Sequence, residues 1–305
     1  MQKRIVYILL GFILLCQVFA AHAGDNVLIC KGNWGKEVNQ LGIRLPSPGV
    51  LPVAPYQCIG GFDIDNDGAA WFSDSVNSML KCFKKNEWSY IMLNYGRLGD
   101  LACFNQRLYV LTREPDGVAV INPANGKVDR HVRIAFKNPG RLSILNDKLF
   151  LIEDQGNGLL ICKNDQTVQH PAVALEPACT GQRIFGVQYN LEADSRGIIA
   201  AELADEVQEP EMIGLYEPGE PIVFIKTAGI HANRLVVQVV TRSKPGILNF
   251  AKLGDHAEVL QSVALPIFDA PFLTASWKLC SDGKLYGFSG SAADGFKLLR
   301  SGNNF

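Results

Sequence analysis

Four aspartates stand near residue 65 at a spacing that is typical of calcium-binding loops. Asp63, Asp65, Asp67 and Asp74 fit the pattern D-x-D-x-D-G-x5-D, with Gly68 at the sixth position. Such loops place oxygen ligands at alternating positions, need a glycine for the sharp turn and end with an acid at the twelfth position. Asp-Gly is also a favoured pair in tight hairpin turns, because glycine accepts a positive φ. The segment therefore indicates either a site for Ca²⁺ or another divalent cation, or a plain β-turn.

Other acidic and basic residues stand near the predicted strand ends. The acids occupy or follow the position of Asp74 in an alignment of the repeats described below, and carboxylate oxygens can hold a hard cation. The bases stand near the predicted starts of innermost strands, where arginine suits a carboxylate or phosphate ligand and histidine titrates near neutral pH. The candidate ligand-binding residues are Glu153, Asp154, Glu202, Arg141, Arg183 and His231. The alternative is that the acids are solvated loop residues and that the histidine is structural.

The composition excludes two broad classes of protein. The chain has 305 residues, of which 48% are hydrophobic, and its 29 Lys and Arg against 30 Asp and Glu give a formal net charge of −1. A disordered chain needs low hydrophobicity and high net charge, and a nucleic-acid-binding surface is normally basic. The sequence also lacks the HExxH, GxSxG and Walker motifs. We expect a monomer whose partner is a protein or a small molecule and not a nucleic acid.

The first 23 residues have the pattern of a secretory signal peptide. Lys3 and Arg4 precede an apolar run over residues 5–18, and Ala21 and Ala23 supply the small residues before a cleavage site. The run is shorter than the ~20 apolar residues that span a bilayer. We expect cleavage after Ala23 and export to the periplasm or the cell exterior, with retention as a membrane anchor as the alternative.

Export would place the cysteines where disulfide bonds can form. Of the 8 cysteines, Cys16 lies in the leader, and the odd number that remains leaves at least one thiol unpaired or paired with another chain. No CxxC spacing is present, which argues against a zinc ribbon or a redox pair. Cys103 and Cys280 lie in apolar runs, where burial as small hydrophobic residues is expected.

The elements that would position these residues repeat along the chain. Six segments consist of an apolar strand, a tight polar turn and a second apolar strand, which is the pattern of β-hairpins. The second residue of each second strand gives an alignment point, at Trp71, Tyr109, Phe150, Ile199, Val236 and Tyr286. These points are 37 to 50 residues apart, and four-stranded propeller blades repeat every ~40 to 50 residues. The pattern predicts an all-β, six-bladed β-propeller, with a seven-bladed ring or a two-sheet sandwich as alternatives.

The two ends of the chain predict how the ring closes. The sixth repeat has three strands, and the apolar segment 26–31 has no partner near it in sequence. We expect this N-terminal strand to complete the last blade, because closing the ring protects the strand edges. The predicted regions are a signal peptide (1–23), a closing strand with a Pro-rich connection (24–57) and the propeller (58–305). The predicted blades are 58–94, 95–136, 137–176, 177–228, 229–272 and 273–305.

One hairpin carries a resemblance to a known superfamily. Its residues are Gly61-Phe62-Asp63-Ile64-Asp65-Asn66-Asp67-Gly68-Ala69-Ala70-Trp71-Phe72-Ser73-Asp74. This Asp-rich hairpin with an aromatic second strand resembles the blades of the NHL and SMP-30/gluconolactonase-like six-bladed propellers. In the lactonase-type members of that superfamily, a Glu, an Asn and an Asp from different blades hold a divalent cation in the channel. The resemblance makes Asn190 and Glu202 candidate contributors here, although neither lies in a recognisable local motif.

Three functions fit these observations. The first is an exported, non-catalytic propeller that binds a protein or a small ligand on its loop-bearing face, since loops on a rigid scaffold commonly carry function. The second is a divalent-metal-dependent, lactonase- or esterase-like hydrolase with its site in the central funnel. The third is a structural component of the cell envelope. The sequence favours the first.

Overall fold

The computed structural model describes most of the chain after residue 25. The described residues are 26–44, 58–134, 139–145, 148–153, 159–163, 166–170, 178–180, 183–190, 195–202, 211–216, 222–231, 234–241, 245–252, 258–264, 277–291 and 293–302. Between residues 139 and 264 the description is mainly of the backbone. No helix within these ranges has the length and apolar character needed to cross a membrane.

The described chain forms β-strands that pair into six four-stranded antiparallel sheets. The first strand, β1 (Val27–Gly32), belongs to the last sheet. The first two complete sheets contain β2 (Ile59–Ile64), β3 (Ala70–Asp74), β4 (Met79–Lys84) and β5 (Glu87–Met92), then β6 (Arg97–Phe104), β7 (Arg107–Arg113), β8 (Gly117–Ile121) and β9 (Val128–Arg133). The third contains β10 (Pro139–Leu145), β11 (Lys148–Glu153), β12 (Leu159–Lys163) and β13 (Gln166–His170). The fourth contains β14 (Ala178–Thr180), β15 (Arg183–Asn190), β16 (Ser195–Glu202) and β17 (Glu211–Tyr216). The fifth contains β18 (Ile222–His231), β19 (Arg234–Thr241), β20 (Pro245–Lys252) and β21 (Glu258–Ala264), and the last contains β22 (Trp277–Leu279), β23 (Leu285–Ser291) and β24 (Gly295–Arg300).

Neighbouring sheets contact each other through their first strands. Strand β2 contacts β6, β6 contacts β10, β10 contacts β14, β14 contacts β18 and β18 contacts β22. These are therefore the innermost strands. In the last sheet, β1 pairs antiparallel with β24, with Val27 opposite Arg300 and Gly32 opposite Phe296. The strand order there is β1-β24-β23-β22, so the N-terminal strand is outermost.

Apolar side chains between neighbouring sheets form the core. The ring centroid of Phe72 lies 6.1 Å from that of Phe288 and 6.2 Å from that of Phe296. Trp88 meets Phe296 edge-on at 5.9 Å. These rings belong to one buried cluster that joins the β2–β5 sheet to the last sheet. Such aromatic pairs contribute about 0.5–1.5 kcal/mol each beyond the burial of their area.

Each sheet has two distinct ends. We call the end where the innermost strand begins the loop-bearing face, and the end with the tight turn into the second strand the hairpin face. On the hairpin face of the first complete sheet, Asp65 Oδ1 accepts from Asp67 N (3.0 Å) and its Oδ2 accepts from Trp71 Nε1 (2.9 Å). In the last sheet, Asp282 Oδ2 likewise accepts from the hydroxyl of Tyr286 (2.7 Å). In these two hairpins, the turn aspartate therefore bonds the aromatic residue at the alignment point.

The fifth sheet begins earlier than the sequence repeat indicated, and the fourth contains a short first strand that the repeat did not include. Strand β18 begins at Ile222, ahead of the expected boundary at 228. In the fourth sheet, the short strand β14 is innermost. The segments aligned as first and second strands, 185–191 and 198–201, therefore fall on β15 and β16, the second and third strands. A three-residue strand carries too little alternation to be recognised from the sequence.

The cysteines of the described side chains are unpaired and buried, namely Cys30, Cys58, Cys82, Cys103 and Cys280. Burial raises the pKa of Cys30 to about 12 and that of Cys58 to about 11. Burial likewise raises the pKa of Cys82 to about 11. Because the thiolate is the reactive form, these thiols are protected in two ways, by exclusion of reagents and by the scarcity of thiolate.

We expect these five thiols to resist alkylation in the folded protein. For Cys58 and Cys82, a pKa near 11 lowers the thiolate fraction at pH 8 by about 100-fold relative to an ordinary thiol. Iodoacetamide labelling before and after denaturation, mapped by mass spectrometry, measures this. Labelling of either peptide in the native protein at the rate of the unfolded chain would contradict the expectation.

Candidate functional site

The four aspartates of the predicted calcium loop face different partners. Asp63 accepts hydrogen bonds at the innermost strands, and Asp65 stabilises its own turn. Asp67 lies on the surface, 3.1 Å from Lys84. Asp74 is fully buried at the other end of the sheet.

The hairpin geometry explains why these carboxylates do not surround one point. Asp63 is opposite Trp71, and Asp74 follows three residues later, about 10 Å along an extended strand. A calcium loop instead curls its ligands around the ion. Within the described ranges, no group of three or more His, Cys, Asp or Glu side chains could hold a metal ion. Residues 65–68 form a β-turn, and calcium binding by the four aspartates stays a prediction.

Asp63 is the centre of a hydrogen-bond network that joins three sheets. Its Oδ2 accepts from Cys103 N (2.8 Å) in the second complete sheet. Its Oδ1 accepts from Ser281 N (3.2 Å) in the last sheet, and the Ser281 hydroxyl lies 3.1 Å from Oδ2. Ser281 Oγ also lies 2.6 Å from the carbonyl oxygen of Cys103. The carboxylate therefore fixes the hairpin ends of three innermost strands relative to one another.

Lys278 places a positive charge in the same network. Its Nζ donates to the carbonyl oxygens of Phe62 (3.0 Å) and Leu101 (2.9 Å) and lies 3.9 Å from Asp63 Oδ2. Burial alone would lower the pKa of Lys278, but the carboxylates of Asp63 and Asp100 more than compensate and hold the pKa above its ordinary range. An ammonium group therefore lies against two innermost strands, β2 and β6.

Asp100 repeats part of this arrangement one sheet further on. Its Oδ1 accepts from Leu101 N (2.8 Å), as Asp63 Oδ1 accepts from Ile64 N (2.8 Å). Its Oδ2 accepts from Leu142 N (3.0 Å) in the third sheet. Each aspartate thus bonds the backbone of the next sheet.

A second buried ion pair attaches the N-terminal loop to the β2–β5 sheet. Asp74 Oδ2 accepts from Gly42 N (2.9 Å) and lies 3.7 Å from Lys81 Nζ. Lys81 also donates to the backbone carbonyls of Glu37 and Gln40. Burial lowers the pKa of Lys81, and the attraction of Asp74 acts in the opposite direction. The pair therefore holds the loop over the β2–β5 sheet.

Two of the predicted ligand-binding residues belong to the third sheet. Arg141 stands near the start of β10, and Glu153 ends β11, opposite Pro139. Both positions are on the loop-bearing face. Asp154 lies outside the described residues.

The other three ligand-binding candidates lie at the hairpin face. Arg183 begins β15 and is the direct cross-strand partner of Glu202. His231 ends β18, opposite Arg234. This corrects the expectation that Arg183 and His231 stand at innermost-strand starts and that Glu202 ends a second strand. Because β14 takes the innermost position, Arg183 and Glu202 lie on the second and third strands of their sheet. His231 lies at the hairpin face because it ends the long strand β18.

Sequence analysis missed Lys278, Ser281 and Asp100. Lys278 had a usable signal, since it is a charged residue inside a short apolar innermost strand. Asp100 had a weaker one, because it precedes an apolar pair as Asp63 does. Ser281 had none, since a serine in a turn is ordinary.

The loop-bearing face of the second complete sheet carries an unusual backbone position. Glu114 is exposed and has a φ of 62°, a conformation that non-glycine residues adopt infrequently. A Cβ placed on Gly96 would lie 2.7 Å from Glu114 Oε2, so the carboxylate lies directly over that glycine. Two arginines, Arg97 and Arg113, are direct cross-strand partners beside it. The face therefore presents an arginine pair next to a backbone-constrained acid.

No protein-family model matches the chain. No curated protein matches it either. Several solved structures share its fold at low sequence identity. The WD40 β-propeller domain of Doa1 is 11% identical, with a TM-score of 0.53 over 79% of this chain and 78% of that one. A luciferin-regenerating enzyme is 12% identical, with a TM-score of 0.51 over 81% and 92%. Regucalcin from Agrobacterium tumefaciens, described as a calcium-binding protein, is 10% identical, with a TM-score of 0.51 over 81% and 92%. The chain is an all-β protein with the β-propeller fold, built from four-stranded antiparallel sheets.

Proposed function

We propose that the chain forms a six-bladed ring of the NHL and SMP-30-like kind, closed by its N-terminal strand. The pairing of β1 with β24 supports closure, because it supplies a fourth strand to the last sheet. The aromatic cluster shared by the last sheet and the β2–β5 sheet supports a continuous ring. A closed ring protects the strand edges that an open array would expose.

This arrangement favours an exported protein that binds a ligand and does not catalyse a reaction. Its ligand, a protein or a small molecule, would lie on the loop-bearing face. One observation carries the proposal, namely that the Lys278 ammonium lies among the innermost strands, bonded to two backbone carbonyls and close to Asp63. A hydrolytic metal centre needs several unshared carboxylate or imidazole ligands, whereas Asp63 is already held by three backbone N–H groups.

The loop-bearing face offers the better-suited surface. The positive φ of Glu114 is a locally costly conformation of the kind that clusters at functional sites. Arg97 is exposed beside it, and arginine pairs readily with carboxylate or phosphate groups. The signal-peptide pattern supports export, where such a surface would meet its ligand.

Metal analysis with a substrate panel separates binding from hydrolysis. We expect less than one tightly bound divalent metal per chain and no turnover of lactones or esters when Ca²⁺, Mg²⁺, Mn²⁺ or Zn²⁺ is added. Glu153→Gln, at the loop-bearing end of β11, serves as the matched variant. Stoichiometric metal together with turnover that this variant abolishes would overturn the proposal in favour of a hydrolase.

Capture from envelope extracts tests which face binds. We expect the wild type to retain a specific ligand that the Arg97→Glu variant loses. The control Asp67→Lys reverses a charge on the hairpin face, where its side chain is 78% exposed, and should retain the ligand. Equal capture by both variants would show that the loop-bearing face is not the binding surface.

A further inference from the structure

One histidine lies half-buried near the loop-bearing face of the second complete sheet. The ring of His131, on β9, stacks on that of Tyr95 with a centroid distance of 5.4 Å and an interplanar angle of 21°. Its Nε2 lies 2.9 Å from the hydroxyl oxygen of the fully buried Thr112. That hydroxyl donates its single hydrogen to the carbonyl oxygen of Pro115 (2.9 Å). Thr112 can therefore only accept from His131, so Nε2 carries a hydrogen and Nδ1 has the lone pair in the neutral ring.

The stacked ring supports the connection from β5 to β6. A Cβ on Gly117 of β8 would lie 2.3 Å from Cε1 of His131, so a glycine at this position leaves room for the ring. Tyr95 packs against the buried cluster between the first two complete sheets. It directly precedes Gly96, whose N–H donates to the carbonyl oxygen of Arg113 on β7 (3.1 Å). His131 therefore holds Tyr95 at the point where the β5–β6 connection meets β7.

The surroundings of His131 disfavour a positive charge on its ring. The titratable groups on the elements around the ring are Arg133 and Asp129 on β9, Tyr95 on the β5–β6 connection, and Glu114 and Asp116 on the β7–β8 connection. Asp129 is bonded to Arg107, and Glu114 lies over Gly96. Among the described side chains, the ring bonds the Thr112 hydroxyl and no carboxylate. Burial and, after it, the guanidinium of Arg133 lower the pKa of His131.

A second proton would make the stacked position of the ring unfavourable. Because Nε2 already carries a hydrogen, this proton comes from water and binds Nδ1. The imidazolium would then be half-buried beside Arg133, and both burial and a like charge disfavour the charged form. Moving the ring into water removes both penalties, at the cost of the contact with Tyr95 and the bond to Thr112. Acid therefore favours a state in which the ring has left Tyr95.

We propose that His131 is an acid-sensitive support of the loop-bearing face: protonation of its ring releases Tyr95, and the β5–β6 connection at Gly96 and Arg97 then opens. The open form binds a proton that the closed form excludes. The closed form is therefore most stable at neutral pH and loses stability as the pH falls below 6.5, the ordinary pKa of histidine. The proposal goes beyond ligand binding at this face and does not depend on it, because opening is measured on the chain alone.

Amide hydrogen exchange at Gly96, followed by NMR from neutral to mildly acidic pH, tests this support. After correction for the intrinsic exchange rate, opening in the wild type should rise by up to about tenfold per pH unit as the pH falls, since it takes up one proton. His131→Gln keeps an N–H donor for Thr112 and does not titrate, so its opening should be independent of pH. His131→Arg carries a permanent charge and should open already at neutral pH. The N–H of Gly126, bonded to Asn122 O (2.9 Å) on the hairpin face, is the internal reference and should keep its protection.

Two charge variants of the same sheet complete the test. Arg133→Gln should reduce the total rise in opening, because it removes the like charge beside the ring. Lys127→Gln is the matched control, since Lys127 is exposed in the β8–β9 turn on the hairpin face, and it should respond as the wild type does. Thermal melting checks that each variant is folded, and if His131→Gln does not fold, Arg133→Gln carries the test. Opening at Gly96 that does not change with pH in the wild type would overturn the proposal. An equal rise in the wild type and in His131→Gln would also overturn it, since another group would then be the one that titrates.

Discussion

Replacing Asp63 by alanine is expected to lower the free energy of unfolding by about 4 kcal/mol. The side chain is 4% exposed, and the substitution leaves the Lys278 ammonium without its nearest carboxylate. The backbone N–H groups of Cys103 and Ser281 lose their acceptor in the same step. Buried N–H donors that lose their acceptor, together with an ammonium that loses its nearest carboxylate, are among the few causes of losses this large. Urea unfolding followed by circular dichroism measures the change.

Asp67→Ala is the matched control for that experiment. Asp67 carries the same charge four residues later, but its partner Lys84 is 42% exposed and its own side chain 78% exposed. Exposed pairs of this kind contribute at most about 1 kcal/mol. A loss for Asp63→Ala no larger than the loss for Asp67→Ala would contradict the role assigned to the network.

Two further variants separate charge from hydrogen bonding at Asp63. Lys278→Met removes the cation but leaves the carboxylate with its N–H donors. In a double-mutant cycle, Asp63→Ala and Lys278→Met should therefore be non-additive, with a coupling of about 1–3 kcal/mol. If Asp63→Ala prevents folding, Asp63→Asn keeps the side-chain volume and one acceptor, and it should show a smaller loss with the same sign.

The second large effect is expected at Asp74. Replacement by alanine should lower the free energy of unfolding by about 3–5 kcal/mol, because the fully buried Lys81 then lacks a counter-charge. The substitution also removes the acceptor for Gly42 N (2.9 Å) and for Asn77 Nδ2 (2.8 Å). We expect the loop over residues 33–44 to open more often as a result. Amide hydrogen exchange measures that opening at Leu41 N, which donates to Asn33 O.

The controls for Asp74 use the same loop and the same ion pair. Glu37→Ala keeps the backbone carbonyl that Lys81 contacts, so the free energy of unfolding should change by less than about 0.5 kcal/mol. Lys81→Met should cost less than Asp74→Ala, because methionine retains the apolar stem and the carboxylate keeps its N–H donors. Unchanged exchange at Leu41 in Asp74→Ala would show that the ion pair does not hold the loop.

The strands and turns of this protein follow from its sequence, because they depend on residues close together in the chain. The turn around Asp65 forms through Asp67 and Trp71, two and six residues away. The same turn chemistry recurs at Asp282 and Tyr286. This recurrence makes the repeat recognisable in the sequence. The repeat was misjudged at β14, where three residues are too few for a pattern.

The roles of the acidic residues depend on contacts that no local pattern contains. Asp63 and Asp74 fit one calcium motif, yet Asp63 bonds Ser281, 218 residues away, and Asp74 bonds Gly42, 32 residues before it. Lys278 reaches Leu101 across 177 residues. Composition, hairpin chemistry and repeat length were sufficient to predict an all-β propeller. Only the packing of sheets against one another decided which charges are buried, what they bond and which surface remains exposed, since each partner is brought there by a different sheet.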